Sequence, residues 1–158
     1  MTTPAEPKLE PGDIAPDFTA KTQTGDDIRL SSLRGRPVVL YFYPRDDTPG
    51  CTREACGFRD SWNQIQAKGA VVLGVSTDSV RSHERFSERY KLPFTLVSDE
   101  EKSIVSAYGV WGEKSFMGRK FQGTRRMTFL IGADGRIQKI WPKVKTANHS
   151  AEVLEALG

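Results

Sequence analysis

An α/β fold, a central mixed sheet packed between helices, is what this sequence predicts, and three observations carry it. Two continuous β-branched and aromatic runs, PVVLYFYP at 37–44 and AVVLGVSTD at 70–78, read as strands buried on both faces. Between them, residues 51–67 place Cys51, Ala55, Phe58, Trp62 and Ile65 at spacings of four, three, four and three, a single helical stripe. Near the C-terminus, MTFLIG and RIQKIW flank Ala-Asp-Gly, which signals a hairpin.

The other elements follow in order. DFTAKT and DIRLS flank the turn signal TGDD, so 17–30 is expected to be an N-terminal β-hairpin. SSLRG offers a serine N-cap and a glycine stop, hence one short helical turn. SVRSHERFSERY, 79–90, sets Val80, His83, Phe86 and Tyr90 near one helical face, with His83 in a half-buried stripe. PFTLVSD and EKSIVSAYGV read as an inserted strand and short helix over 93–109. Residues 109–126 have no clean period and are expected to be a long loop, and SAEVLEALG closes the chain as a helix. That order fits a thioredoxin-like βαβ–ββα plan with an N-terminal hairpin and an inserted strand–helix.

The polar, proline-rich start predicts a flexible tail over residues 1–10 and one domain over 11–158, long enough to bury a core without covalent staples. The apolar fraction of 37% and charged fraction of 27% are those of a globular protein, and the net charge of +3 is spread along the chain. Short basic clusters such as GRKFQGTRR fall below what a nucleic-acid groove needs. No apolar run approaches the ~18 residues of a membrane span. The N-terminus has neither a signal nor a transit pattern, so a cytoplasmic protein without nucleic-acid or membrane partners is expected. Two cysteines five residues apart in that compartment do not suggest a permanent disulfide.

Those cysteines lie in TPGCTREACGF, residues 48–58. Pro49 and Gly50 stop the preceding strand, so a helix begins at or near Cys51. Unpaired N–H groups and the positive end of the helix dipole then face its sulfur and favour thiolate over thiol. The plainer alternative is a buried structural thiol, although such a residue more often sits within an element. Cys56 is a geometric puzzle. Five helical residues separate two Cα atoms by about 8.5 Å, and a disulfide tolerates at most about 7 Å. The pair can join only if the first helical turns unwind; otherwise Cys56 is a small apolar residue on the helix flank. A metal site is not expected, because zinc wants four ligands and His83 and His149 lack ligand-like spacing. Asp46 and Asp47 are expected to form only a solvated turn.

The pattern Pro44-x-x-x-Thr48-x-x-Cys51 resembles the active-site motif of the peroxiredoxins. FYPRDDTPGCTREACGFRD, VLGVSTDS, FTLVSDE, YGVWGEKSFMG and R-x-T-F-L-I at 126–131 are similar to the peroxiredoxin Q, or bacterioferritin comigratory protein, subfamily. The resemblance spans nearly the whole chain from about Lys8. It implies a thioredoxin-dependent thiol peroxidase in antioxidant defence, commonly monomeric and without a cofactor. In that reading Cys51 is the peroxidatic residue that becomes a sulfenic acid, and Cys56 resolves it to an intramolecular disulfide reduced by thioredoxin or a similar dithiol protein. Hydrogen peroxide and organic hydroperoxides are the implied substrates.

The resemblance also gives the neighbours roles. Thr48 has a hydroxyl suited to thiolate and peroxide oxygen, or else only caps the loop. Pro44 shields the thiolate, or merely ends the strand. Arg126 corresponds to the family's arginine, although the residues alone do not choose between it and Arg125. Glu54 resembles a carboxylate that holds such an arginine; a solvated helix-N-terminal glutamate is the alternative. Gly50 supports the turn into the helix. A thioredoxin-type exchanger would show C-x-x-C and a proline before the strand MTFLI, where this chain has Arg-Arg-Met-Thr. Protein thiol–disulfide exchange and redox sensing remain the competing functions.

Overall fold

In the computed structural model, which describes residues 9–158, the runs with the strongest apolar pattern become the centre of the molecule. The chain opens with the hairpin β1 (Thr19–Thr22) and β2 (Asp27–Arg29), a 3-10 turn over Leu30–Leu33, and the strand β3 (Val38–Phe42). Next come α1 (Pro49–Asp60), α2 (Trp62–Ala67), β4 (Val71–Ser76), α3 (Val80–Tyr90), β5 (Thr95–Ser98) and α4 (Ser103–Ala107). A separate hairpin, β6 (Trp111–Phe116) and β7 (Arg119–Thr124), precedes β8 (Met127–Ile131), β9 (Ile137–Trp141) and α5 (His149–Leu157). Seven strands form one mixed sheet in the order β2-β1-β5-β4-β3-β8-β9. β3 runs parallel to β4 and antiparallel to β8, and β5 extends the parallel part. The N-terminal hairpin joins the edge through antiparallel β1–β5 pairing, so the thioredoxin-like plan and both additions to it are present.

Burial on both faces explains why 37–44 shows no alternation. Val39, Tyr41 and Tyr43 pack on the side of α1, α3 and α5, with Cys51, Phe58, Phe86 and Val153. Val38, Leu40 and Phe42 face the other side, with Ile104, Val105, Tyr108 and Phe129. Gly74 on β4 makes room for this arrangement, because a Cβ there would lie 2.8 Å from the Tyr41 ring. Tyr41 instead stacks on Tyr43, centroids 5.5 Å apart, and meets Phe58 at 4.9 Å.

The structure corrects three expectations about elements. Residues 109–126 are not a loop but carry the β6–β7 hairpin, closed by Met117 and Gly118 at φ 52° and 79°. Two positive φ values are the turn geometry that matches strand twist. Phe116, Met117 and Phe121 are exposed, so no buried face imposed a period on this segment. The stripe at 51–67 is two helices, broken at Ser61 (φ −96°, ψ 6°), whose N–H turns to the Arg59 and Gly57 carbonyls. His83 is fully buried rather than half-buried.

The tail expected over residues 1–10 lies outside the described residues through residue 8. Leu9 packs against the core, and the Glu10 N–H reaches the Asp13 carboxylate at 2.8 Å. Among the described residues, no helix is long and apolar enough to cross a membrane.

Candidate active site

Chain direction assembles the site at the C-terminal end of β3. Leaving that strand, Pro44 to Thr48 form a short loop, and Pro49 occupies the first helical position, where its missing N–H costs nothing. The first bond closing the helix runs from the Thr52 N–H to the Thr48 carbonyl. It leaves the Gly50 and Cys51 N–H groups without a helical partner at the open end of α1. The antiparallel partner β8 begins at this same end, because Met127 lies opposite Phe42. Arg126, just before β8 and 75 residues downstream, therefore enters here and donates from Nη2 to Cys51 Sγ at 3.2 Å.

The two arginines form the link between β7 and β8 and point apart. Arg126 turns toward the sulfur, whereas Arg125 lies over β6, its Nη2 only 3.0 Å from where a Gly112 Cβ would be. The other Arg126 nitrogen, Nη1, donates to Glu54 Oε1 at 2.7 Å. Glu54 is 2% exposed, which corrects the solvated alternative. Position 54 follows Cys51 by three residues and so lies on the same helical face. Burial pushes its carboxyl up to about 7, against the pull of Arg126. Burial alone would lower the Arg126 guanidinium; Cys51 and Glu54 outweigh it and raise it further above its ordinary value. Gly50 is part of the fit, since a Cβ there would lie 3.2 Å from Nη2.

Cys51 is 1% exposed and Cys56 is half-buried, both as free thiols on an unbroken α1. The helix thus keeps the sulfurs apart, as its geometry requires. Thr48 is half-buried, and its hydroxyl donates to the Arg45 carbonyl at 3.0 Å, leaving its oxygen lone pairs as acceptors. Pro44, also half-buried, borders the same loop.

Sequence reasoning missed Tyr41 and the loop acids. Tyr41 lies beneath α1, fully buried; its hydroxyl has no hydrogen-bond partner among the described residues. Burial and then the Glu54 and Cys51 charges raise its pKa well above the ordinary tyrosine value, so it stays neutral. Asp46 is not solvated. It is 8% exposed and accepts from Tyr43 Oη at 2.6 Å and Ser82 Oγ at 2.8 Å, with His83 Nδ1 at 2.7 Å. Asp46, Asp78 and His83 bring potential ligand atoms within 4.8 Å of one another. Both His83 nitrogens are already engaged, Nε2 with the Val97 carbonyl at 2.9 Å, so the cluster is a hydrogen-bonded hub. No local signal joined these positions, since His83 lies 37 residues from Asp46.

A thioredoxin-like sheet presenting a helix-start cysteine, with a guanidinium on the sulfur, defines a thiol oxidoreductase. Residues 11–140 match the model of the AhpC/TSA family. The chain is 51% identical over 149 residues to the putative peroxiredoxin bcp of Coxiella burnetii, covering 94% of this chain and 99% of that protein. It is 46% identical to peroxiredoxin Bcp of Escherichia coli K12, covering 94% and 96%. A structure of the Xanthomonas campestris bacterioferritin comigratory protein, described for alkyl peroxide reduction, matches with TM-score 0.86 and 38% identity, covering 94% and 95%. A cysteine-to-serine variant of Xylella fastidiosa PrxQ matches with TM-score 0.88 and 36% identity, again covering 94% and 95%. The chain belongs to the AhpC/TSA family and, among its peroxiredoxins, is a thiol-dependent peroxidase.

Proposed function

We propose that Cys51 is the peroxidatic residue of this enzyme and Cys56 its resolving partner. The carrying observation is Arg126 Nη2 at 3.2 Å from Cys51 Sγ, at the open start of α1. The sulfur there meets the positive end of the α1 dipole and a guanidinium donor, which stabilise negative charge developing in the reaction. The thiolate attacks one oxygen of a hydroperoxide and the O–O bond breaks. The sulfur keeps one oxygen with the peroxide proton as sulfenic acid, and the other leaves as hydroxide or alkoxide and takes a proton from solvent to become water or alcohol. Thr48, its own hydrogen given to Arg45, accepts from the peroxide O–H, and Arg126 moves its hydrogen bond to the departing oxygen. Glu54 holds the guanidinium in line, Gly50 gives it room and Pro44 screens the sulfur from bulk water.

The Cys56 thiol then attacks the sulfenic sulfur, water leaves, and the disulfide passes its oxidation to a dithiol protein by exchange. The subfamily resemblance supports the finer assignments: thioredoxin as that protein, a monomeric 11–158 domain, and a cytoplasmic setting. The alkyl peroxide reduction described for the Xanthomonas relative supports organic hydroperoxides beside hydrogen peroxide. A cysteine only 1% exposed suits such small substrates better than a protein disulfide.

A coupled assay following NADPH through thioredoxin reductase and thioredoxin tests the scheme. Wild type turns over peroxide, and Cys51→Ser does not. Cys56→Ser reacts once and stops at sulfenic acid, seen by mass spectrometry as one added oxygen. Undiminished turnover in Cys51→Ser refutes the peroxidatic assignment, and normal recycling in Cys56→Ser refutes the resolving one.

A further inference from the structure

We propose that Asp46 and Asp47 are positioning residues that fasten the loop carrying Pro44 and Thr48 to α3, and so confine redox unwinding to the chain after them. These neighbours point in different directions and grip opposite ends of one helix. Asp46 reaches the first turns of α3, where Ser82 Oγ donates at 2.8 Å and His83 Nδ1 lies at 2.7 Å. His83 Nε2 continues to the Val97 carbonyl on β5 at 2.9 Å, so the tie is anchored in the sheet. The Asp46 backbone N–H donates to Asp78 Oδ2 at 2.8 Å, and Ser76 Oγ holds that carboxylate at 2.6 Å. Asp47 reaches the last turn, accepting from Arg89 Nη1 at 2.7 Å and Tyr90 Oη at 2.8 Å.

Two features give these contacts a mechanical meaning. Asp47 has φ 58°, a left-handed conformation that a non-glycine residue keeps only when its surroundings hold it there. Beyond the cysteines, Arg59 Nη1 donates to the Tyr90 carbonyl at 2.8 Å, so the far part of α1 is tied to the same end of α3. The segment from Pro49 to Phe58, holding both cysteines, thus lies between two ties to one helix. About 8.5 Å between Cα atoms must shrink below about 7 Å for the disulfide, so this segment has to unwind. With the upstream tie closed, the unwinding stops short of Pro44, and the rim of the peroxide site keeps its place for the next cycle.

The inference rests on the Cys51–Cys56 chemistry, and its test separates the two. Hydrogen exchange is measured on the full wild-type chain, reduced and after one equivalent of hydrogen peroxide, with the disulfide verified by mass. Amides of residues 52–57 are expected to lose protection by roughly tenfold or more, while the Asp46 amide stays within roughly threefold. A disulfide formed with the Asp46 amide opened as far as α1 overturns this inference alone. Failure to form any Cys51–Cys56 disulfide sinks the resolving assignment and this inference with it.

Stopped-flow kinetics adds a second arm. Asp47→Ala is expected to speed disulfide formation by roughly three- to tenfold, more than it alters peroxide attack, and Asp47→Asn, still able to accept from Tyr90, to return toward wild type. Asp46→Asn is expected to slow peroxide attack by roughly tenfold, and Ser82→Ala, which removes one bond of the hub, to do so less. Variants that lower the melting temperature yet keep both rate constants at wild-type values, when fully folded, overturn the assignment.

Discussion

Arg125 and Arg126 are chemically identical neighbours in the link between β7 and β8, and only the second reaches the sulfur. Arg126→Ala removes a charge-assisted hydrogen bond at Cys51 and is expected to slow peroxide attack by about 10- to 100-fold in stopped-flow measurements. Arg125→Ala is expected to stay within about twofold, as for a surface change. The reverse ranking would assign the site to the wrong guanidinium. Gly50→Ala is a subtler probe, because its new methyl would stand 3.2 Å from Arg126 Nη2 and push the guanidinium off line. It is expected to slow attack several-fold while the melting temperature stays near wild type. Sequence reasoning alone left these two arginines unresolved. What decides is the register of β8 on β3, Met127 opposite Phe42, and a register is a pairing between distant segments.

At the level of elements, α1 is both the scaffold of the sulfur and the obstacle to the disulfide. Forming the bond is expected to cost roughly two turns of helix, visible as lost far-UV circular dichroism when the reduced protein is oxidised with one equivalent of peroxide. Cys56→Ser, which cannot close the bond, should keep its reduced spectrum after the same treatment. Equal spectra for reduced and disulfide-bonded wild type would show that α1 accommodates the bond intact, against the geometry. This helix was legible from its apolar stripe and its Pro-Gly start, as were β3, β4 and the closing hairpin. The β6–β7 hairpin was not, because Phe116 and Phe121 face solvent and alternation appears only when one face is buried. Asp46 was misread for a related reason. An acid in a turn is usually solvated, and only the fold could bring Tyr43, Ser82 and His83 to one carboxylate.

For the whole molecule, two buried groups tie stability to pH in opposite directions. Glu54 moves from 4.5 to about 7 because burial outweighs Arg126. Between those values the folded chain holds a proton that the unfolded chain has released, so stability falls as pH rises through this window. His149 is lowered from 6.5 by burial, partly offset by Glu152, with Nε2 2.7 Å from Thr128 Oγ1. Below 6.5 the unfolded chain takes up a proton that the folded chain resists, so this group costs stability as pH falls. A melting profile of wild type alone mixes the two. Glu54→Gln separates them, because glutamine keeps an acceptor for Arg126 but never carries the buried charge. At pH 5 wild-type Glu54 is protonated, and the variant should melt close to wild type. By pH 8 the variant should gain, up to an upper bound of about 3 kcal/mol, the value of the raised pKa over its ordinary one. Thermal melts at both pH values read this directly. A difference between variant and wild type that does not grow from pH 5 to pH 8 would mean that Glu54 is ionised at both, with Arg126 outweighing burial. The same melts on His149→Gln should show the opposite trend, its advantage over wild type growing toward acid.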